Sequence, residues 1–399
     1  MDIDLINTAK KLLCHHFNAV ITIAKADVLS EPERRNLILR LFIENPTDNI
    51  PASVILKKTA IENRGETEQE QLSRFAHDWA GLEFLTAIGT HHGPYFYAGS
   101  FEHRFILIED LGLEHSSLVG PLTRGPSKEN QEEAVKALAA YTRRVAQMHA
   151  DTFGKTAQFE AILKRIYPEV KRFHYHKPDD INVLPKLFKR YIGYENEKLI
   201  AELNNIFTAM DSSDFKVLLH GDICPDNVFF QNQDIRLFDF EFGDTGHALI
   251  DGVYLRMSMP SCWCAKSTPA NIVQQMEAIY RKELQSKIPA ANHEDLYHQA
   301  LLYACAYWVI RSLIWWLDEF FESDKNCPSG PVDEDSLWDP NSNGFHSRLL
   351  SRLEAFITCA QQLNQLPALC EASNQLLALL RIKWRDTQGL DNYPVFGKK

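Results

Sequence analysis

Along the first 110 residues the apolar positions fall in short β-branched runs, and beyond them they fall mostly at helical spacing. Val20-Ile21-Thr22-Ile23, Leu37 to Ile43 and Val54-Ile55-Leu56 predict three strands, the last ending in Lys57. A polar connection, Lys25 to Arg35, separates the first two, and Asn45-Pro46-Thr47-Asp48-Asn49 predicts a turn after the second. Leu72, Phe75, Trp79, Leu82 and Leu85 recur every three or four residues, so they share one face of a helix that Gly89 stops. Phe105 to Ile108 reads as a buried strand running into Glu109-Asp110-Leu111-Gly112. Residues 113–127 hold Gly120, Pro121, Gly125 and Pro126 and read as a linker or surface loop.

From Ser127, a plausible N-cap, Val135, Leu138, Val145 and Met148 keep helical spacing. Residues 196–210, 269–286, 296–322 and 347–382 also predict helices. The exception is residues 217–243, where two short apolar runs flank polar turn residues. The pattern predicts an α+β chain: a sheet-rich part with one main helix over residues 1–110 and a mainly helical part over residues 111–399.

The chain of 399 residues is 45% hydrophobic and 24% charged, as a globular protein is. No stretch approaches 18 consecutive apolar residues, so no membrane span is expected. The acidic start, MDIDLINTAKKLL, lacks the apolar core of a signal peptide. A net charge of −11 disfavours broad nucleic-acid binding, which needs a basic face. The eight Cys form no CxxC pair, and so long a chain needs no disulfide staples, which points to buried thiols in a cytoplasmic protein. The Cys262-Trp263-Cys264 triplet has donors for a soft metal, but burial as small hydrophobes is the plainer reading.

The chemistry-bearing segment is LLHGDICPDNVFFQNQDIRLFDFE, residues 218–241. Val228-Phe229-Phe230 and Ile235 to Phe238 predict a hairpin around the turn Gln231 to Asp234. Asn227 and Asp239 sit at its open ends, where their side chains would converge. An amide oxygen and a carboxylate are hard ligands that suit Mg²⁺ when phosphates and water complete the shell. Asp222, on the loop before, would reach the same pocket and accept a proton from a hydroxyl. These are parts for phosphoryl transfer, in which a metal spreads the developing charge and a Lys holds the donor phosphates.

The order His220-Gly221-Asp222, four residues, Asn227, hairpin, Asp239-Phe240 resembles the kinase catalytic loop and its metal-binding Asp. With Gly inside H-G-D and D-F-E in place of D-F-G, it resembles the aminoglycoside phosphotransferase and choline kinase group of small-molecule kinases. Gly246 to Asp251 also resembles that group, where a later Asp braces the catalytic loop. The resemblance implies a two-lobed, protein-kinase-like α+β fold with nucleotide in the cleft between lobes. It implies that Asp222 is the catalytic carboxylate, that Asn227 and Asp239 bind Mg²⁺, and that Lys57 contacts the α/β-phosphates of ATP. Asp78 falls where the group usually has the Glu that pairs with that Lys, with Glu83 as the alternative. Backbone groups at Glu109 and Leu111 would hydrogen-bond the adenine. His220 and Asp251 read as structural supports.

Residues 1–64 contain no Gly, so a phosphate-covering loop at Lys25 to Arg35 would lack glycine-only conformations. The grip would then come from Lys57, the metal and Ser30 or an Arg. Residues 308–338 mix Trp308, Trp315, Trp316 and Trp338 with seven carboxylates, a composition that suits a cationic acceptor. The plainer reading packs the Trp residues in the core and leaves the acids in solvent. His174-Tyr175-His176 suggests a metal pair on a strand, against a plain surface segment.

The expected activity is ATP- and Mg²⁺-dependent transfer of a γ-phosphoryl group to a hydroxyl of a small molecule. The alternative is a kinase-like regulator that binds nucleotide without catalysis. A metal-dependent hydrolase would need more His or Cys than this segment offers. A protein-substrate kinase would need a D-F-G to A-P-E segment that does not follow Asp239. Neither a nucleic-acid nor a membrane partner is expected.

Overall fold

A computed structural model of the chain describes residues 3–30, 35–60, 65–112, 117–173, 180–231 and 234–398. It divides into two compact units. The first comprises Met1–His115, Lys155–Phe173 and Arg236–Asp244, and the second Ser116–Gly154, His174–Ile235 and Thr245–Lys399.

The first unit opens with helix α1 (Ile3–Phe17), an element additional to the strands expected there. Leu5, Ala9 and Leu13 recur at four-residue steps and are buried against the sheet, so the helical signal was present. The sheet is antiparallel throughout, in the order β1 (Ile23–Val28), β2 (Asn36–Ile43), β3 (Ser53–Thr59), then β5 (Phe105–Glu109) and β4 (Phe96–Ser100) at the far edge. Leu39, Leu41, Val54, Leu56, Phe105 and Leu107 alternate onto the face that α1 covers. Lys57, opposite Ile38 and Ile106, therefore takes the other face, and Lys58 the α1 face.

Two strands differ from expectation. Val20 is 91% exposed, and β1 starts only at Ile23 and runs through the polar Lys25 to Val28. An edge strand with one wet face needs no apolar run; pairing with β2 selects it. Strand β4 went unread because it is short and contains glycine. Gly99 is needed there: a Cβ would come within 2.7 Å of the Trp79 ring.

Helix α2 (Glu68–Ala87) carries the predicted stripe, starts at a Thr67–Glu70 capping box and stops before Gly89, whose φ is +72°. Helix α3 (Val119–Thr123) corrects the surface-loop reading of 113–127, of which residues 113–116 lie outside the described residues. Leu118 to Thr123 are buried, and Gly120 lets Asp333 approach where a Cβ would sit 2.3 Å from its carboxylate.

Helix α4 (Lys128–Thr152) begins at Ser127, whose hydroxyl accepts the Asn130 N–H at 3.0 Å. Helix α5 (Thr156–Ile166) belongs to the first unit and packs on α2 through Phe159 against Phe84. Helices α6 (Asp180–Ile192) and α7 (Glu197–Met210) lead to β6 (Lys216–Leu219), β7 (Val228–Gln231), β8 (Asp234–Leu237) and β9 (Asp244–His247). Two ribbons, β6 with β9 and β7 with β8, replace the continuous sheet of the first unit.

Helices α8 (Leu249–Gly252), α9 (Ala270–Leu284), α10 (Glu294–Phe320), α11 (Phe345–Leu363) and α12 (Pro367–Lys383) complete the chain. Residues 347–382, expected as one helix, break at Asn364 and Leu366, both left-handed, with Pro367 starting the next helix. Helix α10 is long and apolar enough to cross a membrane by composition, but 83% of its apolar window is packed inside the protein.

Helix α2 is set against the D-F-E segment by Gly81, where a Cβ would come within 2.8 Å of the Phe240 Cβ. An alanine would gain up to about 1 kcal/mol of helix propensity. Overpacking would cost about 1–3 kcal/mol. Gly81→Ala is expected to lower the urea midpoint despite its better helix former.

Candidate active site

In the first unit, strand parity and helix packing bring Lys57, Asp78 and Asp239 together. Lys57 Nζ lies 2.8 Å from Asp78 Oδ2 and 2.5 Å from Asp239 Oδ1. Asp78 is 3% exposed, and its second oxygen accepts the Phe240 N–H at 2.8 Å. The shorter acid therefore reaches the Lys. Glu83 instead accepts from Trp79 Nε1 at 2.8 Å and pairs with Arg165. Burial works to neutralise Lys57, but the Asp239, Asp78 and Glu241 carboxylates raise its pKa above the ordinary lysine value.

Asp239 has φ +69°, the left-handed conformation that a short polar side chain tolerates. Glu241, where a glycine would stand in D-F-G, pairs with Arg35 and with Arg74 at 2.9 Å. Burial, with Asp239 alongside, pushes its carboxyl up to about 7 against Arg35 and Lys57. This second layer was not read from the sequence; only the Glu in D-F-E hinted at it. His77, one residue before Asp78, lies with its ring nitrogens 2.5 Å from Gly243 O and 3.0 Å from Lys171 O, which fixes this part of α2.

Of the expected phosphate contacts, Ser30 Oγ accepts the Ile38 N–H at 3.1 Å, and Arg35 is held by Glu241. Residues 31–34 lie outside the described residues, as do His174, Tyr175 and His176. At the end of β5, the Glu109 N–H donates to Tyr95 O at 2.8 Å, and its carboxylate takes the Tyr95 N–H at 3.0 Å. Leu111 is partly buried just beyond. Asp110 between them receives Arg40 Nε at 2.6 Å, Ser53 Oγ at 2.6 Å and the Gly112 N–H at 2.9 Å. Burial opposes its charge, but these donors pull the Asp110 carboxyl below its ordinary value.

In the second unit, the H-G-D turn needs its glycine: Gly221 has φ +76°. The His220 ring is fully buried, and its backbone N–H donates to Asp251 Oδ2 at 2.9 Å. Asp251, 3% exposed and 3.4 Å from His149 Nε2, braces the loop from beneath. Asn227 Nδ2 donates to the Asp222 carbonyl at 2.9 Å and its carboxylate at 3.2 Å. Ser261 Oγ donates to Asp222 Oδ1 at 2.7 Å, and Cys224 Sγ lies 3.2 Å from the same atom. The turn thus presents a partly exposed carboxylate with a defined orientation.

Part of the aromatic and acidic stretch meets the protein's own cations. Arg311 lies over Trp315 at 4.2 Å, Arg352 over Trp316 at 4.5 Å and Lys266 over Trp338 at 5.6 Å. Asp318, Glu322 and Asp335 pair with Arg190, Lys383 and Arg124. Trp308 is buried and donates to Ile250 O at 2.8 Å. These residues of the stretch thus pack and brace the second unit.

Two predictions follow from these contacts. Lys57→Met leaves Asp78 buried without its cation and should cost about 3–5 kcal/mol in urea unfolding. Adding Asp78→Asn, which keeps an acceptor for the Phe240 N–H, should restore more than half of that loss. Asp110, whose folded pKa is depressed, contributes stability above its unfolded value of 3.8 that is lost as pH falls below it. The stability gap between wild type and Asp110→Asn should therefore narrow as urea titrations move from pH 6 towards about pH 3.

Solved structures similar to the chain are distant. An amicoumacin kinase in complex with AMP-PNP, Ca²⁺ and Ami is 13% identical, with 97% of this chain and 94% of that one covered and a TM-score of 0.46. A choline/ethanolamine kinase family protein from Mesorhizobium loti is 12% identical, with coverages of 95% and 99% and a TM-score of 0.43. A spectinomycin phosphotransferase in complex with ADP and spectinomycin is 13% identical, with coverages of 93% and 98% and a TM-score of 0.37. No curated protein sequence matches the chain. The model of the phosphotransferase enzyme family (APH) matches residues 63–279, more than half of the chain. That span contains Asp78, the H-G-D turn, Asn227 and Asp239, and the chain belongs to the phosphotransferase enzyme family.

Proposed function

We propose that the protein transfers the γ-phosphoryl group of ATP to a hydroxyl of a small molecule, with Mg²⁺ as cofactor. The observation that carries this reading is Lys57, its side chain 12% exposed, held between Asp78 and Asp239. A lysine fixed by two carboxylates is a point charge set for phosphate oxygens, and the D-F-E segment that supplies one of them is anchored to α2. Since the Lys57–Asp78 pair forms, the shorter acid no longer argues for a protein that binds nucleotide without turning it over.

The donor set fits a hard cation. By their oxygen chemistry Asn227, whose amide nitrogen turns to Asp222 and leaves Oδ1 to ligate, and the Asp239 carboxylate would hold Mg²⁺. Mg²⁺ held there would neutralise the charge on the triphosphate. With the Glu109 N–H used by Tyr95, Leu111 supplies the N–H for an adenine ring. Asp222 orients the acceptor hydroxyl and takes its proton as the new O–P bond forms and the bond from Pγ to the β,γ-bridging oxygen breaks, releasing ADP. Ser261 and Asn227 keep that carboxylate aimed through the step.

The test is purified protein with ATP, Mg²⁺ and a panel of amino alcohols, aminoglycosides and sugars, followed by acceptor-dependent ADP release. Asp222→Asn should lower kcat by about 100-fold or more. Its ATP affinity, read by thermal shift, should stay within about 3-fold of wild type, because the Asn227 bond to the backbone carbonyl of position 222 and an acceptor oxygen for Ser261 survive. Equal loss of binding and turnover would show a structural role, and absence of turnover with every acceptor would remove the assignment.

A further inference from the structure

Three ligand atoms that phosphoryl transfer does not need converge beside the H-G-D turn, and a fourth lies next to one of them. The Cys224 and Cys262 thiols and one Asp226 carboxylate oxygen all lie within 4.8 Å of one another. Cys264 Sγ is 3.1 Å from Cys262 Sγ. All three Cys are buried, at 3% exposure or less, and none is in a disulfide. Trp263 Nε1 donates to Asp226 Oδ2 at 2.7 Å, which orients that carboxylate towards the thiols.

We propose that Cys224, Cys262, Cys264 and Asp226 form a site for a thiophilic divalent cation of the zinc type. A tetrahedral zinc with sulfur at about 2.3 Å sets thiolates about 3.8 Å apart. The Cys224, Cys262 and Asp226 ligand atoms, within 4.8 Å of one another, can take three corners of that tetrahedron, and rotation of the Cys264 side chain about its place beside Cys262 brings the fourth. Three sulfurs and one oxygen select a soft, tetrahedral ion over Mg²⁺ or Ca²⁺.

Charge supplies a second, independent observation. Arg348 and Arg352 are 2% and 0% exposed and hold the backbone of this same segment. Arg348 donates to Cys262 O, Trp263 O and Asn343 Oδ1, and Arg352 to Met257 O, Pro260 O and Ser312 Oγ. All six acceptors are neutral, and among the described residues neither guanidinium has a carboxylate partner. Buried cations without a counter-charge are costly. On metal binding the three thiols release their protons to water, and Zn²⁺ with three thiolates and one carboxylate places two net negative charges on the segment that the two guanidiniums hold.

The site also bears on the turn, since Cys224 Sγ lies 3.2 Å from Asp222 Oδ1 and loses its proton when it ligates. That coupling rests on Asp222 as the catalytic carboxylate; the metal site itself does not.

The full-length protein, reduced with a phosphine, is titrated with Co²⁺ and then Zn²⁺. One equivalent of Co²⁺ should produce the sulfur-to-cobalt charge-transfer band and the visible bands of tetrahedral cobalt, and one equivalent of Zn²⁺ should abolish them. Cys262→Ser/Cys264→Ser should lose the bands, and Asp226→Asn should weaken Zn²⁺ by about 10-fold or more. Cys305→Ser/Cys359→Ser, a buried pair elsewhere, should keep them. No bands in the wild type, or bands that persist without Cys262 and Cys264, would overturn the site whatever the variants do to folding. Bands without phosphotransfer would leave the metal site standing and remove the function proposed above.

Discussion

A lysine ammonium inside a protein must be compensated at close range, and Lys57 is compensated from two distant parts of the chain. It projects from β3 on the face away from α1, Asp78 comes from α2, and Asp239 follows β8. Each carboxylate fixes a backbone element with respect to that ammonium. Asp78 also takes the Phe240 N–H, so both of its oxygens are engaged, the condition under which a buried ion pair is tolerated. The small residues of this unit serve the same geometry: Gly81 admits Phe240, and Gly99 admits Trp79.

The second unit reaches a comparable precision with hydrogen bonds. Gly221 turns the chain with a positive φ, Asp251 receives the His220 N–H, and Asn227 binds back to Asp222. Buried Arg348 and Arg352 hold the carbonyls of the segment from Met257 to Trp263, which delivers Ser261 to the same carboxylate. The Asp222 carboxylate stays partly exposed while His220, Asp251, Arg348 and Arg352 behind it are buried, so its orientation is held without closing it off.

The local signals were legible. The α2 stripe, the Ser127 cap, the β2 and β3 runs and the H-G-D to D-F-E spacing all rest on residues close in sequence, where periodicity and turn chemistry act. Helix α1 carries the same signal in Leu5, Ala9 and Leu13, whereas β4 has too little pattern to predict a strand. Helices α11 and α12 looked continuous because their apolar spacing nearly bridges the break, and only the left-handed Asn364 and Leu366 end it.

What the amino-acid order determined alone was the type of chemistry: an aspartate, an asparagine and a second aspartate at kinase-like spacing, with a lysine at a strand. Tertiary structure decided which acid holds that lysine, that Glu241 draws in Arg35 and Arg74, and that the Trp-rich acidic stretch is braced by arginines and lysines. Apart from Arg311 over Trp315, one helical turn away, these are contacts between residues tens to hundreds of positions apart. No local rule ranks such partners, because each ion pair depends on burial and on strand parity, which exist only once the chain has packed.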